Sequence, residues 1–278
     1  MMYYKKMTTI PTKPVKAIAL DLDGTIVDEN LQISQRTLDV LKHLINDTDV
    51  RVVIATGRMF PSAIPFAQRV GVTTPLVTYQ GAMVRDLDNG KNIHFHQPLD
   101  LKLAEHVLHY LLDNKYFVNL YMNDELWTNN DNRYTAYYTK ASGITPILVE
   151  DLRTALTTAP TKLMVIDDER VPTLLGDLQA LYGEQFGYCR SRSNFCEIIH
   201  PAASKWNALK ILIDQWGIEA DEVMAVGDQG NDISMISGAG LGVAMGGAPE
   251  DVVAVANYVT GSIEEDGVVQ AIEKFVLN

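Results

Sequence analysis

The sequence predicts a doubly wound α/β core interrupted by a smaller inserted α/β cap. Three observations predict it. Short apolar runs that stop abruptly at polar loops alternate with helical patterns near the start of the chain. Between residues 87 and 189 the texture shifts to hairpin-like turns, strand pairs and more aromatics. The βα rhythm then resumes, so the core is expected at 1–86 and 190–278 and the cap at 87–189.

The first strand is the run KAIALDLDGT, Lys16 to Thr25. It ends in Asp21, Asp23, Gly24 and Thr25. A buried parallel strand reads as such an apolar run, and ligands of open α/β sheets bind beyond the carboxyl ends of the strands. Two acids at that place cost solvation and repel each other. Ser34 then caps a helix whose Leu38, Leu41, Leu44 and Ile45 recur at helical spacing. A second strand, Val50 to Ala55, ends in Thr56, Gly57 and Arg58. A short helix and a third strand, Pro75 to Thr78, lead to Gln80-Gly81-Ala82.

The predicted cap opens with a hairpin signal, Asp88-Asn89-Gly90. It continues with a helix from Asp100 to Asn114, the strands YFVNLYMN and ELWTN, and a Tyr-rich helix from Asp131. The strand LMVID, a helix over Leu174 to Tyr182 and a strand around GYCRS complete it. Afterwards Ser204 caps a helix with Lys205 in its first turn, and the strand Val223 to Gly227 ends in an acidic loop, Asp228 to Asp232. Further strand and helix signals reach YVTG.

Composition bounds the function. The chain has 278 residues, 47% hydrophobic and 21% charged, with a formal net charge of −12. An acidic surface argues against nucleic-acid and anionic-membrane partners, which need basic footprints. It leaves room for a phosphorylated metabolite, because a divalent cation reverses the sign of a site locally. Cys189 and Cys196 form no CxxC pair, so a reducing, cytoplasmic setting is expected. Residues 1–14 read as a flexible extension rather than a signal peptide, and no apolar run is long enough to span a membrane.

Four loops thus bring Asp21, Asp23 and Thr25, then Thr56, Gly57 and Arg58, then Lys205, then Asp228, Asn231 and Asp232. Phosphoryl transfer needs such a set. Magnesium takes hard oxygen ligands, and a lysine with backbone N–H groups spreads over phosphate oxygens. One aspartate can act as nucleophile and a second acid can move protons.

In these motifs the chain resembles the haloacid dehalogenase superfamily of phosphatases, through DLDGT, the Thr of ATGR, Lys205 and GDQGND in that order. The stretches GVAMGGA and ANYVTGSIEEDGV are similar to those of its Cof-type branch, whose cap also lies between the second and third motifs. The resemblance implies that Asp21 is the nucleophile and also touches Mg²⁺. It implies that Asp23 is the general acid/base, with its backbone carbonyl on the metal. Thr56, Gly57, Lys205 and Asn231 would hold phosphate, and Asp228 and Asp232 would complete the metal site. Gly24 and Gly57 would let the backbone come close.

The expected reaction is Mg²⁺-dependent hydrolysis of small phosphate monoesters, such as sugar phosphates, through an aspartyl phosphate. A phosphomutase and a non-catalytic phosphometabolite-binding regulator are the alternatives. A monomer or homodimer is expected. Trp206, Gln80 and Gly247 depart from the branch pattern, and they bear on access and on how the leaving group is seated.

Other features carry blander readings. Arg58 either orients substrate or forms a surface ion pair. The glycines from Gly238 to Gly247 follow a helix and lead into a strand, the reverse of a dinucleotide loop. His94 and His96 share a strand face without a third ligand nearby. Tyr134, Tyr137 and Tyr138 are expected to pack cap against core. Tyr121 and Arg192 lie near predicted cap strand ends and are candidates to face the site.

Overall fold

The computed structural model describes residues 13–87 and 92–277. Most of the N-terminal extension and the Asp88-Asn89-Gly90 turn lie outside the described residues. In the first part of the core, β1 (Ala17–Leu20) leads to α1 (Gln35–Asp47), β2 (Arg51–Ile54), α2 (Phe60–Val70) and β3 (Leu76–Thr78). After the insertion come α7 (Lys205–Gln215), β12 (Val223–Gly227), α8 (Ile233–Gly238), β13 (Leu241–Ala244), α9 (Glu250–Val255), β14 (Tyr258–Val259) and α10 (Gly267–Phe275). The five-stranded sheet has the order β14-β13-β12-β1-β2, and all its pairings are parallel. A bridge between Ala55 and Val77 sets β3 beside β2 in the same direction.

Alternation along the strands explains why helices cover both faces. Ile18, Leu20, Val52, Ile54, Met224 and Val226 pack with α1, α2 and α10. Ala17, Ala19, Val53, Val223 and Ala225 point the other way and pack with α7, α8 and α9. A strand buried on both faces has no solvated side, so it reads as a continuous apolar run.

The inserted segment contains β4 (Met83–Arg85), β5 (Ile93–His96), α3 (Leu101–Asp113), β6 (Phe117–Met122), β7 (Glu125–Thr128), α4 (Arg133–Ser142), β8 (Ile147–Leu148), α5 (Leu152–Ala155), β9 (Lys162–Ile166), α6 (Val171–Tyr182), β10 (Gly187–Cys189) and β11 (Phe195–Ile199). The strands β3, β4 and β5 form a small antiparallel sheet. The cap proper is a six-stranded sheet of order β10-β11-β9-β6-β7-β8. Because β11 pairs with both β10 and β9 in that sheet, the cap continues to Ile199 and not to 189 as its composition suggested. Glu197 breaks the apolar run of β11, which hides the strand from sequence patterning.

The two faces of the cap sheet differ. Val118, Leu120, Leu163, Val165, Cys196 and Ile198 pack against α3, α5 and α6 in a separate core. The alternate residues Phe117, Tyr121, Met164, Ile166, Phe195 and Ile199 join the core of the main domain, with Tyr134 and Tyr138 of α4 packed alongside. Two tyrosines of α4 therefore do pack cap against core, while Tyr137 is more exposed.

The same inward face carries two buried charges. Lys162 donates to Glu197 Oε2 at 2.7 Å and to the backbone oxygen of Gly57, in the core, at 3.0 Å. Gln80, also from the core, donates to Glu197 Oε1 at 3.1 Å. The Lys162 ammonium sits 4.7 Å from the Tyr121 ring centroid. Burial opposes the charge on Lys162, but Glu197 outweighs it and its pKa is raised. Losing one partner of a buried pair strands the other charge, whereas replacing both by apolar groups does not. Lys162→Met or Glu197→Leu alone is expected to cost about 3–5 kcal/mol in urea unfolding. The Lys162→Met/Glu197→Leu double variant should lose clearly less than the sum of the single losses, and strict additivity would contradict the pairing.

Candidate active site

Register brings the site together. Leu20 of β1 lies beside Val226 of β12 and Ile54 of β2, so the residues that follow these three strands emerge side by side. Asp21, Thr56 and Asp228 are in those segments. The Ser34 and Ser204 side chains cap α1 and α7 as expected, accepting from Thr37 N and Asn207 N. The Ser204 cap fixes the start of α7 and hence Lys205.

Lys205 is buried between two acids. Its Nζ lies 2.6 Å from Asp21 Oδ1 and 2.6 Å from Asp232 Oδ1. The other oxygen of Asp232 accepts from the backbone N–H groups of Asp228 and Gln229, both at 3.0 Å. Asp232 thereby shapes the loop that presents Asp228. Asp228 Oδ1 accepts from Thr25 Oγ1 at 3.0 Å, and Oδ2 from Gln229 Nε2 at 3.1 Å. Among the described residues, Asp21, Asp228 and Asp232 form an acidic cluster whose ligand oxygens lie within 4.8 Å of one another.

The electrostatics follow from crowding. Burial raises the Asp21 carboxyl well above its ordinary range; Lys205 opposes the shift, and Asp232, Asp228 and Asp23 add to it. Burial, then Asp232, pushes Asp228 up to about 6. Burial works against the charge on Lys205, but Asp21 and Asp232 outweigh it and raise its pKa. Three carboxylates and one ammonium leave an uncompensated negative site of hard oxygen donors, which suits a divalent cation such as Mg²⁺. The buried Asn231 Oδ1, in the same cavity, has no hydrogen-bond partner within the protein.

A cavity of about 90 Å³ joins this cluster to the cap. Asp21, Asp23, Thr56, Gly57 and Asn231 line it, together with Tyr138, Lys162, Arg192 and Glu197 from the cap. Asp23 is in the cavity, but its carboxylate is not one of the clustered ligand oxygens. It is held by Arg58, whose Nε and Nη2 donate to its two oxygens at 2.7 and 2.6 Å. Arg58 also donates to Ser62 Oγ at 3.1 Å and to the cap backbone at Ala141 O at 3.0 Å. Of the two readings of Arg58, it does form an ion pair, but a largely enclosed, bidentate one, and the same guanidinium also bonds the cap.

Two glycines are required by close approach. Gly24 has φ +86°, and a Cβ there would lie 2.3 Å from Asp228 Oδ2. A Cβ on Gly57 would lie 2.2 Å from Gln80 Nε2. Gln80 itself has φ +60°, a conformation unusual for a side-chain-bearing residue. It is held there by its contacts, accepting from Asn231 Nδ2 at 3.1 Å and donating to Glu197. The departure at Gln80 thus ties the fourth loop to the cap.

The other expectations resolve individually. Trp206 packs its ring where a Cβ of Gly238 would stand and does not line the cavity, so it leaves access unchanged. Gly247 has φ +91° with open space around it. Tyr121 is buried among Tyr79, Tyr138 and Lys162 instead of facing the cavity. Arg192 does face it. His94 and His96 bond separately, to Asp86 and Thr161. Sequence reasoning missed Lys162, Glu197, Ser191 and Tyr138 as cavity residues. A lysine and a glutamate inside otherwise apolar strands were the available signal.

A parallel α/β core with an acidic cluster at its strand ends and a cap over it defines a capped hydrolase of the phosphoryl-transfer kind. The haloacid dehalogenase-like hydrolase family pattern matches residues 18–272. A putative phosphatase of Haemophilus influenzae is 31% identical over 93% of this chain and 97% of its own length. The 5-amino-6-(5-phospho-D-ribitylamino)uracil phosphatase YitU of Bacillus subtilis is 30% identical over 95% and 98%. A haloacid dehalogenase-like hydrolase structure from Bacteroides thetaiotaomicron is similar with a TM-score of 0.84 and 27% identity, covering 94% of this chain and 99% of that one. The chain belongs to the haloacid dehalogenase-like hydrolase family, in its Cof-type branch, and is a phosphatase.

The Asp228 carboxyl must lose its proton to bind a cation. Magnesium affinity, measured by titration calorimetry, should therefore weaken as pH falls through about 6, where Asp228 takes up its proton. Asp228→Asn should weaken binding and flatten that dependence. An affinity that stays constant from neutral pH to well below 6 would contradict the assignment.

Proposed function

We infer that this phosphatase hydrolyses small phosphate monoesters in a Mg²⁺-dependent reaction, through a phosphoryl group carried on Asp21. The observation that carries the reading is the buried Lys205 ammonium, 2.6 Å from both Asp21 and Asp232, beside an acidic cluster. A structural ion pair needs one acid, whereas a phosphate between a nucleophile and a cation needs several groups of both signs.

Asp21, Asp228 and Asp232 would hold Mg²⁺, with the Asp23 backbone carbonyl as a further ligand. When bound, the ion offsets charge on the phosphate oxygens and the repulsion among these acids. A carboxylate oxygen of Asp21 attacks phosphorus and the ester oxygen departs. Asp23 supplies the proton that oxygen needs, then takes a proton from the water that attacks the phosphorylated Asp21. Inorganic phosphate leaves and Asp21 is restored. Thr56, Lys205, Asn231 and the backbone at Gly57 hold the phosphate oxygens throughout.

Arg58 bears on timing. Both Asp23 oxygens accept from its guanidinium. One of those bonds has to open before the freed oxygen can take up from solvent the proton that it then gives to the leaving group. The cap, which bonds Arg58 through Ala141, would exclude water during the first step.

A small phosphorylated metabolite is the partner this cavity suits, and the Bacillus relative is named for one such compound. The free thiols Cys189 and Cys196 fit a reducing cytoplasm. The chain would act as a monomer or homodimer.

Asp21→Asn should lower phosphate release from p-nitrophenyl phosphate by at least about 10³-fold, the scale on which loss of a covalent nucleophile is felt, while thermal unfolding stays cooperative. EDTA should silence the wild type and Mg²⁺ restore it. Substantial turnover by the variant, or activity indifferent to EDTA, would defeat the mechanism.

A further inference from the structure

The rim of the catalytic cavity carries an arginine with no acidic partner among the described residues. Arg192 lines the cavity together with Asp21, Asp23 and Thr56. Its Nη1 donates to the Tyr137 hydroxyl at 2.6 Å, and its guanidinium lies 5.7 Å from the Phe195 ring centroid. Both contacts are to neutral groups. Among the described residues Arg36, Arg58, Arg85, Arg133, Arg153 and Arg170 each reach a carboxylate. Arg51, Arg69, Arg190 and Arg192 do not, and of these Arg192 is the one that lines the catalytic cavity.

The remaining charges in the cavity are already matched. Arg58 holds Asp23. Glu197 accepts from Lys162 and Gln80 and also bonds Ser191. Lys205 lies between Asp21 and Asp232. For the part of a substrate beyond its phosphate, Arg192 is the charge left to satisfy.

The arginine is also pre-positioned. It sits in the turn between β10 and β11, where Phe195 N donates to Arg192 O at 3.2 Å and Arg190 donates to Ser193 O. A guanidinium held by the Tyr137 hydroxyl beside the Phe195 ring still presents a planar fork suited to a carboxylate or phosphate. There is room for such a group. A groove of about 730 Å³ continues from the cavity, sharing Gln80, Arg192, Gln229 and Asn231 with it. Arg190, likewise without an ion pair among the described residues, lines this groove, and Asp251 disfavours an anion at its own end.

We propose that Arg192 selects phosphate monoesters whose leaving group carries a second anionic group, a carboxylate or a further phosphate, a specificity that rests on the phosphatase mechanism above. The second anion would bridge to the Arg192 fork while the transferred phosphate lies at Asp21 and Lys205.

The test compares three compounds built on one skeleton: glycerol 3-phosphate, 3-phosphoglycerate and glycerol 1,3-bisphosphate. Binding is measured by titration calorimetry on the full chain carrying Asp21→Asn, with Mg²⁺ present, so that chemistry is blocked. At least one of the two compounds with a second anionic group should bind about ten- to a hundredfold more tightly than glycerol 3-phosphate. Which of them does so tells carboxylate from phosphate. Adding Arg192→Gln should bring that ratio to within about threefold of one, and Arg192→Lys should restore part of it. Thermal unfolding of each variant checks the fold. The proposal is overturned if neither anionic compound outbinds glycerol 3-phosphate, if neither binds measurably, or if the preference survives Arg192→Gln. Wild-type turnover of the same three compounds separates the two ideas. A retained binding preference without turnover sinks the phosphatase mechanism alone, and turnover without preference sinks the Arg192 proposal alone.

Discussion

The site depends on one buried cation. Without the Lys205 ammonium, Asp21 and Asp232 would be two desolvated carboxylates beside a third, Asp228, and burial alone would favour their protonation. With it, two of the three acids share a counter-charge at hydrogen-bond distance. Removing a single member of such a cluster leaves an uncompensated buried charge. The rest of the core serves this arrangement. Parallel pairing of β1 with β2 and β12 aligns the strand ends, the Ser204 cap sets Lys205, and the second oxygen of Asp232 ties down the loop of Asp228.

A second charged group performs a related task at the boundary between core and cap. Lys162 and Glu197 are buried on the inner face of the cap sheet and reach across to Gly57 and Gln80. Gln80 in turn holds Asn231, so a chain of polar contacts runs from the fourth core loop to the cap. Arg58 makes a parallel connection from Asp23 to the cap backbone at Ala141. Each link joins a residue assigned to phosphate or proton handling with a residue of the cap. Movement of the cap would therefore be felt at the reacting groups, the coupling that a closing lid requires.

Much of this was legible in the sequence, for a physical reason. A parallel strand buried on both faces leaves a plain apolar run, and a functional acid at its end interrupts that run conspicuously. Asp21, Thr56 and Asp228 follow such runs, Lys205 opens the helix that Ser204 caps and Asp232 lies in the loop of Asp228; the structure brings them together. The roles of Lys162 and Glu197 were not legible, although each interrupts an apolar strand, because their meaning lies in each other. They are 35 positions apart, and only the antiparallel pairing of β9 with β11 places them on one face. The same glutamate obscured β11 and displaced the expected end of the cap. Tyr121 and Arg192 show the limit of placing residues near strand ends. Strand alternation points Tyr121 toward the core, where the neighbouring tyrosines enclose it, while the β10–β11 turn leaves Arg192 at the cavity rim.

The central claim is that Asp21 carries the phosphoryl group between substrate and water. Rapid acid quenching during turnover of p-nitrophenyl phosphate, followed by peptide mass spectrometry, tests it directly. A phosphoryl group should appear transiently on the peptide containing Asp21, vanish as substrate is exhausted, and be absent from the Asp21→Asn protein. Full turnover with no phosphorylated peptide, or with the phosphoryl group on a different residue, would contradict the account.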